Sequence, residues 1–210
     1  MKIMEGLELP GWAVEIPDCT RFDLPEFFKE QGYKVGAEIG VWQGEFTEIL
    51  LQSGSKVYAI DPWVTYDDCD YYGQKSGGSL EFAYEAARER LDPYSDCTII
   101  RKFSMDALED FKDGSLDWVY LDGNHSFAYV ANDIYHWTKK VREGGVISGH
   151  DYIHIVSRKD PLMCTVKNVV DAYTRAARIP KWYVLGEKYP KPGHKRDRFR
   201  SFFWIKGKQY

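Results

Sequence analysis

The stretch that most constrains this chain is Gly36-Ala37-Glu38-Ile39-Gly40-Val41-Trp42-Gln43-Gly44. Tyr33, Val35, Ala37 and Ile39 alternate as a buried strand does, and Gly40 and Gly44 flank a turn where backbone approaches a ligand before a helix opens at Phe46. The start of that helix presents unpaired N–H groups, which favour an anionic or carboxylate-bearing ligand. Lys56 to Ile60 then reads as a second strand ending in Asp61, an acid placed to accept hydrogen bonds from both hydroxyls of a ribose. Strand, glycine turn, helix, strand and acid is the layout of a nucleoside-cofactor site.

What the turn lacks is equally informative. A dinucleotide fingerprint, G-x-G-x-x-G, brings backbone against a pyrophosphate, whereas the spacing here is Glu38-x-Gly40-x-x-x-Gly44. A carboxylate facing the turn repels a pyrophosphate and suits the ammonium of an amino acid. The stretch resembles motif I of the class I S-adenosylmethionine-dependent methyltransferases, whose cofactor joins a ribose to an aminoacyl tail. Glycine turns after strands are common, so this piece alone also fits a purely structural turn.

At 210 residues the chain is long enough for one domain that buries roughly 70 % of its unfolded surface. We expect an N-terminal arm over residues 1–20, extended because Gly6, Pro10, Gly11 and Pro17 interrupt it, and a single domain over 21–210. The arm makes a homodimer plausible. A net charge of -4 gives no overall reason to expect nucleic acid. Cys19, Cys69, Cys97 and Cys164 form no C-x-x-C pair and read as reduced thiols, and no apolar run has the length of a signal peptide or membrane span. The expected setting is the cytoplasm, away from membranes.

After Asp61, Trp63 offers an aromatic face for an adenine or, equally, packs its loop onto the core. The tyrosine-rich run from Tyr66 to Gly78 reads as a lid or binding loop. Ser79 caps a covering helix, Leu80 to Leu91, and Cys97 to Ile100 forms a third strand. Ser104-Met105-Asp106 opens a short helix. Leu116 to Leu121 is a strand that delivers Asp122 to its carboxyl end, where parallel sheets bind ligands. Gly123-Asn124-His125-Ser126 turns into the helix Phe127 to Lys140, which Val141 to Gly145 closes. Val146 to Gly149 is a fifth strand ending in His150-Asp151-Tyr152. Two consecutive strands thus bring an acid and a histidine to one edge.

The pattern D-G-x-H, a helix, V-x-x-G-G-V-I and H-D-Y resembles the small-molecule O-methyltransferases related to the macrocin and cephamycin-pathway enzymes. More distantly it is similar to catechol and caffeoyl-coenzyme A O-methyltransferases. The resemblance covers about Arg21 to Ala176, including Asp160-Pro161 and the helix Val166 to Tyr173. It implies a three-layer, Rossmann-like α/β fold with a seven-stranded, mostly parallel sheet, closed by an antiparallel C-terminal hairpin of Trp182–Leu185 and Phe202–Ile205. It also implies S-adenosylmethionine as cofactor, held by Glu38, Gly40, Gly44, Asp61 and Asp122. Trp63, Ser104 and Met105 are placed near its adenine, although a capping serine and a core methionine explain the last two equally well.

The implied reaction moves a methyl group to a hydroxyl of a small molecule, a sugar or secondary metabolite. An alcohol attacks a sulfonium well only as an oxyanion, so a base, a cation or both is required. His125 stands three residues after Asp122, where the catechol enzymes place a catalytic lysine, and an imidazole there is suited to take the proton. The related families hold a divalent cation at the ends of strands four and five, which maps onto Asp122, His150 and Asp151. Magnesium enzymes usually carry a carboxylate in place of His150; a histidine leans toward Mn²⁺, Fe²⁺ or Zn²⁺, so the need for a cation and its identity stay open. Asp133, inside the long helix, reads as paired with a neighbour.

Between the last two strands, Lys188, Lys191, His194, Lys195, Arg196, Arg198 and Arg200 form a basic loop, either a solvated hairpin tip or a contact for an anionic substrate group. Three other functions fit the residues less well. Methylation of a nucleic-acid base lacks its N/D-P-P-Y/F motif here, a nicotinamide-dependent oxidoreductase lacks its third glycine, and a non-catalytic binding protein has no use for His125 and both aspartates.

Overall fold

In the computed structural model, residues 2–65, 79–155 and 164–207 are described. The tyrosine-rich run at 66–78 and the Asp160-Pro161 pair of the resemblance lie outside them. The chain runs α1 (Ile3–Leu7), β1 (Ala13–Ile16), α2 (Leu24–Glu30), β2 (Val35–Ile39), α3 (Glu45–Leu51), β3 (Lys56–Ile60), α4 (Leu80–Leu91) and β4 (Cys97–Ile100). It continues with α5 (Ser104–Ala107), β5 (Leu116–Leu121), α6 (Phe127–Lys140), β6 (Val141–Gly149), α7 (Val166–Ala176), β7 (Trp182–Leu185) and β8 (Phe202–Ile205). The strands form one sheet in the order β1-β7-β8-β6-β5-β2-β3-β4. Every pairing is parallel except the two made by β8, with β6 and with β7.

Both faces of the central strands are buried, which is why they read as near-continuous apolar runs. The two-residue period of a strand sorts their side chains. Ala37, Ile39, Val119 and Leu121 face one layer with Ile134 and Trp137 of α6 and Val169 and Val170 of α7. Val57, Trp118, Tyr120 and Val146 face the other, with Phe27 and Phe28 of α2 and Leu50 of α3. At Gly36 an added Cβ would sit 2.0 Å from the Trp118 ring, so the indole occupies the space a side chain on β2 would need. Among the described residues no helix is long and apolar enough to cross a membrane.

The sheet has eight strands, not seven. The extra one lies in the segment expected to be an extended arm: Ala13–Ile16 pairs in parallel with β7, and a short helix, Ile3–Leu7, precedes it. The cause is burial at alternate positions, Val14 and Ile16 entering the core while Ala13 and Glu15 face out. Val141 to Gly145, expected to close α6, instead begins β6, whose register with β5 shifts between Leu116 and Trp118.

The chain leaves β2 for β3 and β4 on one side and resumes with β5 on the other side of β2. That reversal opens a crevice at the carboxyl ends of β2 and β5. Gly40 is what lets the two ends meet: its φ is +90°, and an added Cβ would lie 2.2 Å from the Asp122 carbonyl oxygen. Its missing side chain thus makes room for protein backbone. Gly40→Ala is expected to lower unfolding stability by about 3 kcal/mol through strain and overpacking together. Denaturant unfolding checks this, and a change below about 0.5 kcal/mol would contradict the packing argument.

Candidate active site

A cavity of about 650 Å³ opens at this edge, and each neighbouring strand contributes to its wall. Glu38 and Gly40 come from the end of β2, Asp61 from β3, Ser104 and Met105 from the segment after β4, and Asp122 from β5. Gly44 and Trp63 do not line it. Gly44 is the residue before α3, left-handed at φ 77°, with its Cα side packed toward Leu91. Trp63 is buried in the core with its ring 5.0 Å from Tyr84, and its indole N–H donates to the Trp42 carbonyl at 2.8 Å. The aromatic residues that do line the cavity are Trp42, Phe46, Phe103 and Tyr129.

Asp61 holds the glycine turn together. Its Oδ2 accepts the N–H groups of Val41 at 2.9 Å and Trp42 at 3.1 Å, and its Oδ1 accepts that of Trp63 at 2.8 Å. Burial lifts this carboxyl above its ordinary pKa, and the three N–H groups pull the other way. A carboxylate has about four acceptor sites, so capacity remains for a ligand hydroxyl. Glu38 is buried beneath the cavity and accepts the Thr47 hydroxyl. Burial pushes its pKa up to about 8.

At the far wall Ser104 accepts the Trp137 indole N–H at 2.8 Å and donates to Asp133. Asp133 therefore pairs with a neighbour, as read from the sequence, but it also lines the cavity, and burial pushes it up to about 7. Met105 packs against the core below while reaching the same wall.

The ends of β5 and β6 bring two acids and two imidazoles together. His125 Nε2 lies 3.4 Å from Asp122 Oδ1 and 3.2 Å from Asp151 Oδ2. His150 Nδ1 lies 3.2 Å from Asp151 Oδ1 and 3.7 Å from Asp122 Oδ1. Burial alone would lower both imidazole pKa values, but the carboxylates outweigh it and hold both above the ordinary value. Asp151 is held below its ordinary value, the two imidazoles outweighing burial. Asp151 has φ +51°, a left-handed conformation that is costly for a residue with a side chain and recurs at functional sites.

The donor atoms that converge are one each from Asp122, His125 and Asp151, all within 4.8 Å of one another. The sequence expectation named His150 in place of His125. His150 borders the same acids, but the turn after β5 carries His125 Nε2 between both carboxylates. Two oxygens and one nitrogen fit a borderline divalent ion better than Mg²⁺, which favours oxygen alone. Residues that sequence reasoning missed are Arg21, Trp42, Phe103 and Asn124, all in the cavity wall. Phe103 directly precedes the Ser104-Met105 pair and was open to the same argument; Arg21 stands in no motif.

Residues 37–152 match the methyltransferase-domain family. A curated relative, the uncharacterized protein y4gI of Sinorhizobium fredii (strain NBRC 101917 / NGR234), is 26 % identical over 97 residues, which is 46 % of this chain and 10 % of that protein. The chain therefore spans about a tenth of that relative. Among solved structures, an O-methyltransferase from Bacillus cereus in complex with SAH superposes with a TM-score of 0.60 at 17 % identity, covering 89 % of this chain and 80 % of the other. The O-methyltransferase TomG from Streptomyces achromogenes, in complex with SAM, gives 0.60 at 12 % identity, over 89 % and 79 %. An rRNA methylase from Streptococcus thermophilus gives 0.59 at 11 % identity, over 90 % and 97 %. These likenesses establish the Rossmann-like methyltransferase fold, and with more than half of its length inside the family match, the chain belongs to the methyltransferase-domain family.

Proposed function

We propose that this S-adenosylmethionine-dependent methyltransferase transfers its methyl group to a hydroxyl oxygen of a small molecule. The observation that carries the reading is the convergence of Asp122, His125 and Asp151 beside a cavity that extends to Glu38 and Asp61. Net acidity of the whole chain favours a small acceptor over nucleic acid.

In this reading Asp61 takes a ribose hydroxyl with its remaining acceptor capacity, and Glu38 faces the aminoacyl ammonium. A buried, protonated Glu38 becomes a carboxylate when a cation arrives beside it, so the acid is matched to that ligand end. Phe103, Met105 and Asp133 wall the region for the base. Methyl transfer then breaks the sulfur–carbon bond, leaves the electron pair on sulfur and forms an oxygen–carbon bond. The wall must hold the acceptor oxygen in line and dispose of its proton.

Asp122, His125 Nε2 and Asp151 are the groups that would hold a divalent cation. Bound there, it would supply Lewis acidity toward the acceptor hydroxyl. A second reading needs no cation: His125 takes the hydroxyl proton, and Asp122 and Asp151 stabilise the imidazolium. The position of Nε2 within 3.4 Å of both carboxylates favours it, because such neighbours raise basicity.

Three outcomes follow. Calorimetric titration of the intact protein should give micromolar binding of S-adenosylhomocysteine; no binding would reject the cofactor assignment. Titration of EDTA-treated protein with Mn²⁺ or Zn²⁺ should show one site that Asp122→Asn and Asp151→Asn each weaken at least about tenfold, while an unoccupied wild type would leave His125 as the base. Glu38 titrates near 8 when folded and in the ordinary carboxylate range when unfolded. Between those values the unfolded chain holds fewer protons, so ligand-free stability should fall as pH rises, by up to ~1 kcal/mol per pH unit. Glu38→Gln should flatten that slope in unfolding curves collected from pH 5 to 8, and an unchanged slope would show that Glu38 is not its source.

A further inference from the structure

The aminoacyl end of the cofactor carries a carboxylate as well as an ammonium, and the cavity has to meet both charges. Acids for the ammonium are present in Glu38 and Asp122. The carboxylate is the harder half. The amino end of α3, which the sequence offers for it, belongs to a helix of 7 residues with Glu45 and Glu48 in its first turn. Two carboxylates there oppose a third.

Arg21 is the one lysine or arginine among the described residues that line the cavity. Its guanidinium lies 4.9 Å from the Phe46 ring centre and 5.3 Å from that of Phe22, which hold it in place by cation–π contact. Its backbone N–H donates to Asp197 at 3.0 Å, so the residue is anchored independently of its side chain. The guanidinium itself is incompletely used. Nη1 stands 3.7 Å from Asp122 Oδ2, beyond hydrogen-bond length, and Nε is buried with no hydrogen-bond partner among the described residues. The adjacent Tyr120 hydroxyl bonds Ser201 at 3.0 Å and also favours the guanidinium charge, which leaves most of the fork's donors for a ligand. Five N–H donors in a planar fork are the natural match for a carboxylate.

We propose that Arg21 binds the carboxylate of the cofactor's aminoacyl group, on the side of the cavity opposite in charge to Glu38. The assignment rests on the S-adenosylmethionine reading and deepens it. It gives the segment before α2, which lies outside the family match at 37–152, a direct part in cofactor selection. Ligands with the same nucleoside and no carboxylate should gain nothing from Arg21.

Calorimetry on the full chain separates these terms with three probes: S-adenosylhomocysteine, its decarboxylated analogue 5′-(3-aminopropylthio)-5′-deoxyadenosine, and 5′-methylthioadenosine. Wild type should bind S-adenosylhomocysteine roughly 30-fold more tightly than the decarboxylated analogue, the size of one charge-assisted contact. Arg21→Ala should erase that ratio while leaving the affinity for 5′-methylthioadenosine within about threefold, which also reports that the variant is folded. Arg21→Lys should keep part of the ratio, since it retains the charge and loses the fork. A ratio unchanged in Arg21→Ala overturns the proposal and leaves the cofactor reading standing. Failure of wild type to bind S-adenosylhomocysteine overturns both.

Discussion

The backbone ladder across the carboxyl ends of β3, β2, β5 and β6 is the constraint on which the rest depends. Gly40 N–H donates to the Ile60 carbonyl at 2.9 Å, Asp122 N–H to Ile39 at 2.7 Å, and His150 N–H to Leu121 at 3.0 Å. These bonds extend the sheet one step past its strands, so Asp61, Asp122 and Asp151 all leave it at the same edge. The arrangement needs a residue without Cβ at position 40, because the Asp122 carbonyl fills that space. Site and sheet are therefore one structure, and the edge that carries these acids cannot relax without opening the junction between β2 and β5.

Crowding acids at one edge has an electrostatic consequence that the neighbouring groups manage in different ways. Asp61 draws on three backbone N–H groups, Asp151 on two imidazoles, and Glu38 on a threonine hydroxyl and, less, on the Arg21 charge. Only Glu38 is pushed as far as about 8, because burial and the neighbouring Asp122 and Asp61 outweigh the Thr47 hydroxyl and the Arg21 charge. A ligand that brings positive charge to Glu38 and negative charge to Arg21 satisfies what the ligand-free protein leaves unsatisfied.

Much of this was legible in the residues. Apolar periodicity placed α4, α6, β3 and β5 at their observed limits, and Ser79 caps α4 by accepting the Phe82 N–H, whereas β6 starts five residues earlier than expected. The acids at strand ends were legible as well, because a parallel sheet sends every carboxyl end to one edge. Long-range choices were not. β1 is four residues whose partner, β7, lies far along the chain, and alternation that short competes with the glycines and prolines around it. Trp63 looked like a platform, but its positive φ and its bond to the Trp42 carbonyl turn the ring inward. That His125 joins the converging set in the place expected for His150 depends on the turn after β5, which carries Nε2 between both carboxylates and which side-chain identity does not announce.

The segment after β1 and the loop before β8 meet at this edge, and the sheet topology explains why. β8 runs against β6, so it begins where β6 ends, at the Gly149–Phe202 pair, and the basic loop before it must lie beside the site. Arg200 accepts the Tyr152 N–H through its carbonyl at 2.8 Å and bonds Glu15 with its side chain, while His194 meets Glu187 at 2.9 Å. Those cations build the loop. Asp197 then reaches across to the Arg21 N–H, and Asp18 to that of Lys195 at 2.6 Å. The segment that carries Arg21 into the cavity is thus fixed by a loop whose own position follows from antiparallel pairing. That segment and the C-terminal hairpin are joined through two aspartates, one from each side.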